Sequence, residues 1–94
     1  MLGIEPDNVA ALNGLGLLLF RSGSPDGALV ASDRVLALRP RDTDALFLKG
    51  LVLYTQEKYA DAVKVWGLYL DVGEFHPAAP MIRSLYEDAK KKIK

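Results

Sequence analysis

The amino-acid sequence repeats itself at an interval of 34 residues. Residues separated by that interval are often identical, and other pairs, such as Phe20 and Tyr54, are similar in size and polarity. The identical pairs include Ala11 and Ala45, Leu12 and Leu46, Gly16 and Gly50, Leu17 and Leu51, Leu19 and Leu53, and Ala28 and Ala62. A fixed period of this size predicts a stacked array of like units, which presents an extended surface rather than a catalytic cleft.

Size and composition limit the classes of protein that remain. A chain of 94 residues, half of them apolar, is expected to form one small folded domain. Twelve basic side chains balance twelve acidic ones, so the net charge favours no nucleic-acid partner. There is no cysteine, which excludes disulfides and thiolate metal sites. The longest apolar run, residues 15–20, is too short for membrane insertion, and localisation stays open between cytoplasm and periplasm.

The spacing of apolar residues indicates helices. Tyr59, Ala62, Val63, Trp66 and Leu70 recur at steps of three and four, which places them on one stripe of an α-helix. Capping residues, prolines and glycines divide the chain into helical segments. The first predicted helix follows a cap at Asp7 or Asn8 and ends at about Ser22. The other four run from Pro25 to before Pro40, from Asp42 to about Thr55, from about Lys58 to Val72, and from Pro77 to Ile93.

Helix pairs on this period resemble the tetratricopeptide repeat (TPR) family, whose pattern of large and small residues recurs twice here. Departures from the pattern are Lys49, Ser32, Tyr69 and Glu74, which stand where Leu, an aromatic residue, Ala and Pro are usual. The first unit supplies Leu12, Leu15, Gly16, Leu19, Ala28, Val35 and Pro40, and the second supplies Leu46, Gly50, Leu53, Tyr59, Ala62, Trp66 and Leu70.

The small residues of the pattern have a physical role in the expected packing. Gly16 and Gly50 lack side chains where one helix crowds its neighbour, and Ala28 and Ala62 stand where paired helices approach closest. A larger residue at Ala62 should therefore overpack the contact, at a cost of about 1–3 kcal/mol. Ala31, outside the register, is expected to tolerate a larger side chain better.

The resemblance implies an all-α fold: antiparallel helix hairpins stacked in a right-handed superhelix, with a C-terminal capping helix. The expected divisions of this single TPR domain are residues 1–7 as the tail of a preceding unit, 8–41 and 42–75 as two repeats, and 76–94 as the capping helix. Leu2 aligns with Leu36 and Pro6 with Pro40. This match predicts that the chain is a fragment of a longer protein.

The resemblance also predicts a concave groove lined by the first helix of each pair. Its mostly apolar surface would hold a peptide or helix of a partner protein by large apolar side chains. The alternative is that Leu17, Phe20 and Leu51 only pack between helices. The chaperone-binding branch of the family uses Lys, Arg and Asn to clamp a C-terminal carboxylate. Only Asn13 matches that clamp here, so this branch is not predicted. The predicted partner-binding residues are Ala10, Asn13, Leu17, Phe20, Asp44, Phe47, Leu51 and Tyr54.

Two other functions remain open. The apolar run in the first helix favours a structural role, either as a homodimer through that helix or as a segment joined to the rest of a repeat array. A narrower resemblance connects the segment from Tyr59 to Trp66, with Leu70, to bacterial cytochrome c maturation proteins. Those are periplasmic TPR proteins that hold apocytochrome chains.

Several single residues whose side chains could bind a metal or an anion are expected to have ordinary structural roles. Trp66 lies on the apolar stripe and is expected in the core, and His76 is expected to be a plain loop histidine without metal companions. The basic cluster of Lys90, Lys91, Lys92 and Lys94 complements a helix C-terminus. No matched nucleophile, base or metal set occurs, so neither an enzyme nor a cofactor is predicted.

Overall fold

A computed structural model describes residues 8–73 and 76–93. The chain forms five helices and, within those two ranges, no strand, which confirms the all-α prediction. The expected tail of a preceding unit, Glu74 and Lys94 lie outside the described residues. The helices are α1 (Val9–Arg21), α2 (Pro25–Leu38), α3 (Thr43–Thr55), α4 (Tyr59–Val72) and α5 (Ala79–Lys92).

Helices α1 and α3 begin where the capping residues predict. The side chain of Asn8 accepts a hydrogen bond from the Ala11 amide at 3.0 Å, and Asp42 caps α3 in the same way through the Ala45 amide at 3.1 Å. These caps satisfy amide donors that the first turn of a helix leaves without partners. Pro80 lies in the first turn of α5, as predicted, where its missing N–H costs nothing.

The turns inside the two hairpins are copies of each other. Gly23 and Glu57, separated by the repeat interval, both adopt positive φ, at 88° and 62°. In each turn three amides return to the end of the preceding helix. The bonds run from Ser22, Gly23 and Ser24 to the carbonyls of Leu18, Phe20 and Leu19, and from Gln56, Glu57 and Lys58 to those of Val52, Tyr54 and Leu53.

Successive helices pack side by side along the chain: α1 on α2, α2 on α3, α3 on α4 and α4 on α5. In addition, α1 reaches α3 directly, so that the first helices of the two hairpins are neighbours. This arrangement makes α1 and α3 the two walls of any groove on that side. Within the part of the chain that the structure describes, no helix combines the length and hydropathy needed to cross a bilayer.

The small residues of the repeat pattern lie at closely packed places in the core. Ala28 and Ala62 are completely buried. A Cβ atom at Gly50 would overlap the Trp66 indole, and one at Gly16 would lie 2.7 Å from Leu48 Cδ2. The largest fully buried side chains are those of Trp66, Tyr69, Ile82, Val35 and Val52.

One expectation about packing was wrong. Ala31 is buried, and its Cβ would lie 3.3 Å from a Cβ added at Gly16. It therefore belongs to the helix contact and cannot serve as a tolerant position. Ala60, two residues before Ala62 on α4, is exposed and is the appropriate comparison.

The departures from the repeat pattern have local explanations. Ser32 is buried and donates its hydroxyl to the Leu29 carbonyl at 3.0 Å, which satisfies a polar group in the core. Lys49 forms an ion pair with Asp33 of α2 at 2.6 Å. Tyr69 is fully buried and hydrogen-bonds to His76. A larger or more polar residue is thus accommodated by a specific partner in each case.

Candidate functional site

A cavity of about 370 Å³ lies between α1 and α3. This volume falls at the small end of the range of roughly 300–1,000 Å³ that is typical of ligand pockets. Five of the eight predicted groove residues line it, together with three that were not predicted. The predicted ones are Ala10, Asn13, Leu17, Asp44 and Phe47, and the others are Gly14, Leu48 and His76.

The apolar part of the cavity comes from both helices. Leu17 of α1 is 39% exposed, whereas Leu48 of α3 is buried. The ring of Phe47 packs against Tyr69 and His76, with centroid distances of 6.2 and 5.9 Å, so its position is held from behind. A Cβ at Gly14 would meet nothing within 4 Å, which leaves the space beside α1 open. The cavity therefore has a supported apolar wall with room in front of it.

The polar part is a chain of hydrogen bonds through His76. The Ala78 amide donates to His76 Nδ1 at 3.2 Å, and Tyr69 Oη lies 2.7 Å from the same nitrogen. Because a backbone amide can only donate, Nδ1 is the accepting nitrogen and Nε2 carries the proton. Nε2 lies 3.0 Å from Asp44 Oδ1 and donates to it. The imidazole thereby orients the Asp44 carboxylate at the edge of the cavity.

Tyr69 anchors this chain of hydrogen bonds in the core. Burial raises the pKa of its phenol, and the negative charge of Asp44 raises it further. The hydroxyl is therefore protonated over the whole physiological range and remains available as a donor to His76. The result is a fixed order of donors and acceptors from the core to the cavity.

Asn13 has one satisfied and one unsatisfied polar atom. Its Nδ2 donates to Asp42 Oδ1 at 3.2 Å, the same oxygen that caps α3. The amide cannot rotate by half a turn, because that would place two acceptor oxygens together. Its Oδ1 is buried and has no hydrogen-bond partner in the described ranges. A residue of the cavity wall thus holds a buried acceptor that lacks a donor among the described residues.

Comparison with known proteins identifies the family. A family model described as "Tetratricopeptide repeat" matches residues 2–37 and 31–80. The chain belongs to the tetratricopeptide repeat family. TPR repeats generally mediate protein–protein interactions and act as non-catalytic scaffolds.

One similar curated protein is Superkiller protein 3 of Schizosaccharomyces pombe. It is 50% identical to this chain over 46 residues, which is 49% of the chain. The aligned segment spans 3% of that relative's length. The similarity therefore concerns repeat units of the TPR type rather than a whole protein.

The three remaining predicted groove residues lie outside the cavity of this TPR domain. Phe20 and Leu51 are half-buried and pack against the hydrophobic core. The Tyr54 ring contacts those of Tyr59 and Trp66, each at a centroid distance of 5.5 Å. For these three side chains, packing between helices describes their surroundings better than an open groove does.

His76 was not predicted as part of the site. It lies in the loop between α4 and α5, as expected, but its hydrogen bonds to Tyr69 and Asp44 were not predicted. The available signal was Tyr69, which replaces the alanine usual at that position of a TPR unit. A tyrosine placed on a buried face needs a hydrogen-bond partner for its hydroxyl. His76, seven residues later, was a suitable acceptor, but only the chain path between α4 and α5 brings it back to Asp44.

Trp66 lies in the core as predicted, and its indole N–H has no hydrogen-bond partner among residues that the structure describes. The narrower resemblance to cytochrome c maturation proteins depends on Trp66 and its neighbours on α4. These are packing residues of the helix, so that resemblance stays a prediction. Across residues 8–73 and 76–93, no group of three or more histidine, cysteine or carboxylate side chains could hold a metal ion.

Proposed function

We propose that this TPR domain is a non-catalytic interaction module that holds a segment of a partner protein in the groove between α1 and α3. The observation that carries the proposal is the cavity between these helices, where predicted groove residues from both repeats meet. Its apolar wall is formed by Leu17, Phe47 and Leu48. Apolar side chains of a peptide or helix bind such surfaces in the helix-in-groove or extended-peptide mode.

The neighbouring leucines of α1 provide a matched test. Leu17 lines the cavity and is 39% exposed, whereas Leu18 is 60% exposed and does not line it. Peptides selected from a displayed random library on the 94-residue chain would be titrated against Leu17→Ser and Leu18→Ser. Loss of one buried leucine contact should weaken binding about tenfold or more in Leu17→Ser.

The control should bind the selected peptides as the parent chain does, because Leu18→Ser makes the same chemical change outside the cavity. Circular dichroism and thermal midpoints would show that both variants remain folded. Equal binding by the two variants, or loss of binding only in Leu18→Ser, would contradict the proposed groove.

A second candidate function is structural association through α1. Leu15 is 48% exposed and Leu18 is 60% exposed on this helix. Their counterparts one repeat later are Lys49, which pairs with Asp33 of α2, and Val52, which is fully buried. The corresponding face of α3 is thus used for contact with the preceding hairpin. We propose that the exposed face of α1 can likewise join a second copy of this chain, which the oligomeric state tests.

A further inference from the structure

We infer that the groove cavity takes a partner segment in which an apolar side chain stands beside a lysine or arginine. The inference rests on the proposed function, and it adds the chemistry of the partner. It follows from the polar atoms around the cavity, from the charges near it and from its apolar wall.

The polar side chains of the cavity offer acceptors rather than donors. Asn13 Oδ1 is buried without a partner among the described residues, and Asp44 is a carboxylate. Two side chains of the described lining carry N–H groups, and each already donates: His76 Nε2 to Asp44 Oδ1, and Asn13 Nδ2 to Asp42 Oδ1. Within residues 8–73 and 76–93, no hydrogen bond occupies Asp44 Oδ2. A ligand that pairs with Asp44 Oδ2 must therefore bring a hydrogen-bond donor, and a lysine or an arginine brings the opposite charge as well.

The charge near the cavity is negative. Among the residues that the structure describes, no lysine or arginine lines the cavity, and the side chain of Asp44 is 63% exposed. A shallow depression beside it shares Ala10, Asn13 and Asp44 and adds Asp42 and Arg39. Two carboxylates thus face one guanidinium there. A cationic group of a partner would be attracted to this end of the groove, and a carboxylate or phosphate would be repelled.

The cation needs an apolar neighbour because the acceptors lie next to the apolar wall. Leu17, Phe47 and Leu48 line the same cavity as Asn13 and Asp44. The open space beside Gly14 admits a side chain from outside. Burial of an apolar side chain there supplies most of the attraction, since an exposed ion pair alone contributes little. The cation selects between partners that carry similar apolar residues.

The test uses three capped peptides that differ only in a central pair: Leu-Arg, Leu-Glu or Ser-Arg, each between serine and glycine residues. Each would be titrated at low ionic strength into the ¹⁵N-labelled 94-residue chain and followed by amide chemical shifts. The Leu-Arg peptide should shift the amides of Ala10, Gly14, Asp44 and Phe47 in a saturable manner. Its affinity should exceed that of the Leu-Glu peptide about tenfold, with the difference shrinking in high salt.

Charge variants separate a local effect from a general one. Asp44→Asn should weaken the Leu-Arg peptide about two- to fivefold. Asp71→Asn removes the same charge from a side chain that is 71% exposed and lies outside the cavity, and it should leave the affinity unchanged. Asp44→Lys should reverse the preference in favour of Leu-Glu, which keeps the test valid if Asp44→Asn alters the first turn of α3. Circular dichroism would verify that each variant is folded.

The outcomes distinguish the inference from the proposed function. Equal or tighter binding of the Leu-Glu peptide at the cavity would overturn the inference and leave groove binding intact. Equal binding of Ser-Arg and Leu-Arg would also overturn it, because the apolar residue would then be dispensable. If no peptide shifted the cavity amides, both the inference and the proposed groove would fail.

Discussion

At the scale of single residues, the turn inside each hairpin requires a particular backbone conformation at one position. The same three backbone hydrogen bonds close both turns, and they require a residue with positive φ. Glycine adopts this conformation without strain, as Gly23 does. Glu57 occupies the same position in the second hairpin at a φ of 62° and has a Cβ atom that opposes it.

Replacing Glu57 by glycine should therefore stabilise the domain. Relief of backbone strain is worth about 1–2 kcal/mol, and the greater freedom of glycine in the unfolded chain offsets about 0.5–1 kcal/mol of it. Urea unfolding should show a net gain of about 0.5–1 kcal/mol. By the same balance, the reciprocal change Gly23→Ala should destabilise the domain by about 0.5–1 kcal/mol. A Gly23→Ala variant as stable as the parent chain would contradict the strain argument.

Tyr54 links α3 to α5 through one strong hydrogen bond. Its hydroxyl donates to Asp88 Oδ2 at 2.5 Å, and the acceptor stands one repeat interval later. This hydrogen bond, followed by burial and the negative charge of Asp88, raises the pKa of Tyr54 from 10.0 to about 12. The protonated phenol is thus the form that the folded state prefers.

The sign of the resulting pH dependence follows from the raised pKa. Since the folded-state value lies above the unfolded one, the stabilisation is complete below about pH 10 and is lost as the pH rises through about 12. Asp88→Asn should lower the pKa of Tyr54 toward 10. Phenolate absorbance as a function of pH, measured as the difference between each protein and its Tyr54→Phe counterpart, would give the pKa of Tyr54. An unchanged titration midpoint of Tyr54 in Asp88→Asn would show that Asp88 does not cause the raised pKa.

At the scale of helices, the two hairpins use the same glycine position with different neighbours. In the second, the Trp66 indole covers Gly50. In the first, the tryptophan position is taken by Ser32, and Leu48 of α3 fills the space over Gly16. A rigid ring inside one hairpin is thus replaced by a flexible side chain from the next. The contact between hairpins gains an interlocking residue as a result.

This difference predicts unequal costs for the same substitution. Gly50→Ala forces a Cβ into an indole ring that cannot yield, and should destabilise by about 3 kcal/mol. Gly16→Ala meets the end of Leu48, which can rotate, and the higher helix propensity of alanine offsets about 1 kcal/mol of the cost. Thermal and urea unfolding of the two variants would compare them, and a larger loss in Gly16→Ala would refute this account of the packing.

At the scale of the whole molecule, one apolar helix face has no neighbouring helix among the described residues. The exposed leucines 15 and 18 of α1 occupy the face that in α3 contacts the preceding hairpin. Near the other end of the described chain, α5 packs on α4 with Ile82 and Ala89 fully buried. The two ends of the stack therefore differ in how much apolar surface they expose.

If the exposed face of α1 joins two copies, the thermal midpoint should rise with protein concentration, because association stabilises the folded state by mass action. Sedimentation velocity should show a mass that increases with concentration for the parent chain and for Leu17→Ser. Leu18→Ser should remain monomeric at the highest concentration. A parent chain that is monomeric throughout would remove the structural role proposed for this face.

The sequence alone was sufficient for the periodic features. The repeat interval predicted the helix pairs, the buried alanines and the close approach at Gly16 and Gly50, and the residue types predicted the caps at Asn8 and Asp42. These features depend on residues near each other in the chain or on a pattern that recurs. Five of the eight residues predicted for the groove line the cavity, because their positions also follow from the repeat.

Only the tertiary structure decided the rest of the site. It brought His76 to Asp44 across 32 positions, left the Asn13 acceptor buried without a partner among the described residues, and placed Tyr54 against Asp88 rather than in the cavity. It also showed that Ala31 is a contact residue. Periodicity states which face of a helix is apolar, but the neighbour that each side chain meets depends on how the hairpins pack together and on the path of the connection after α4.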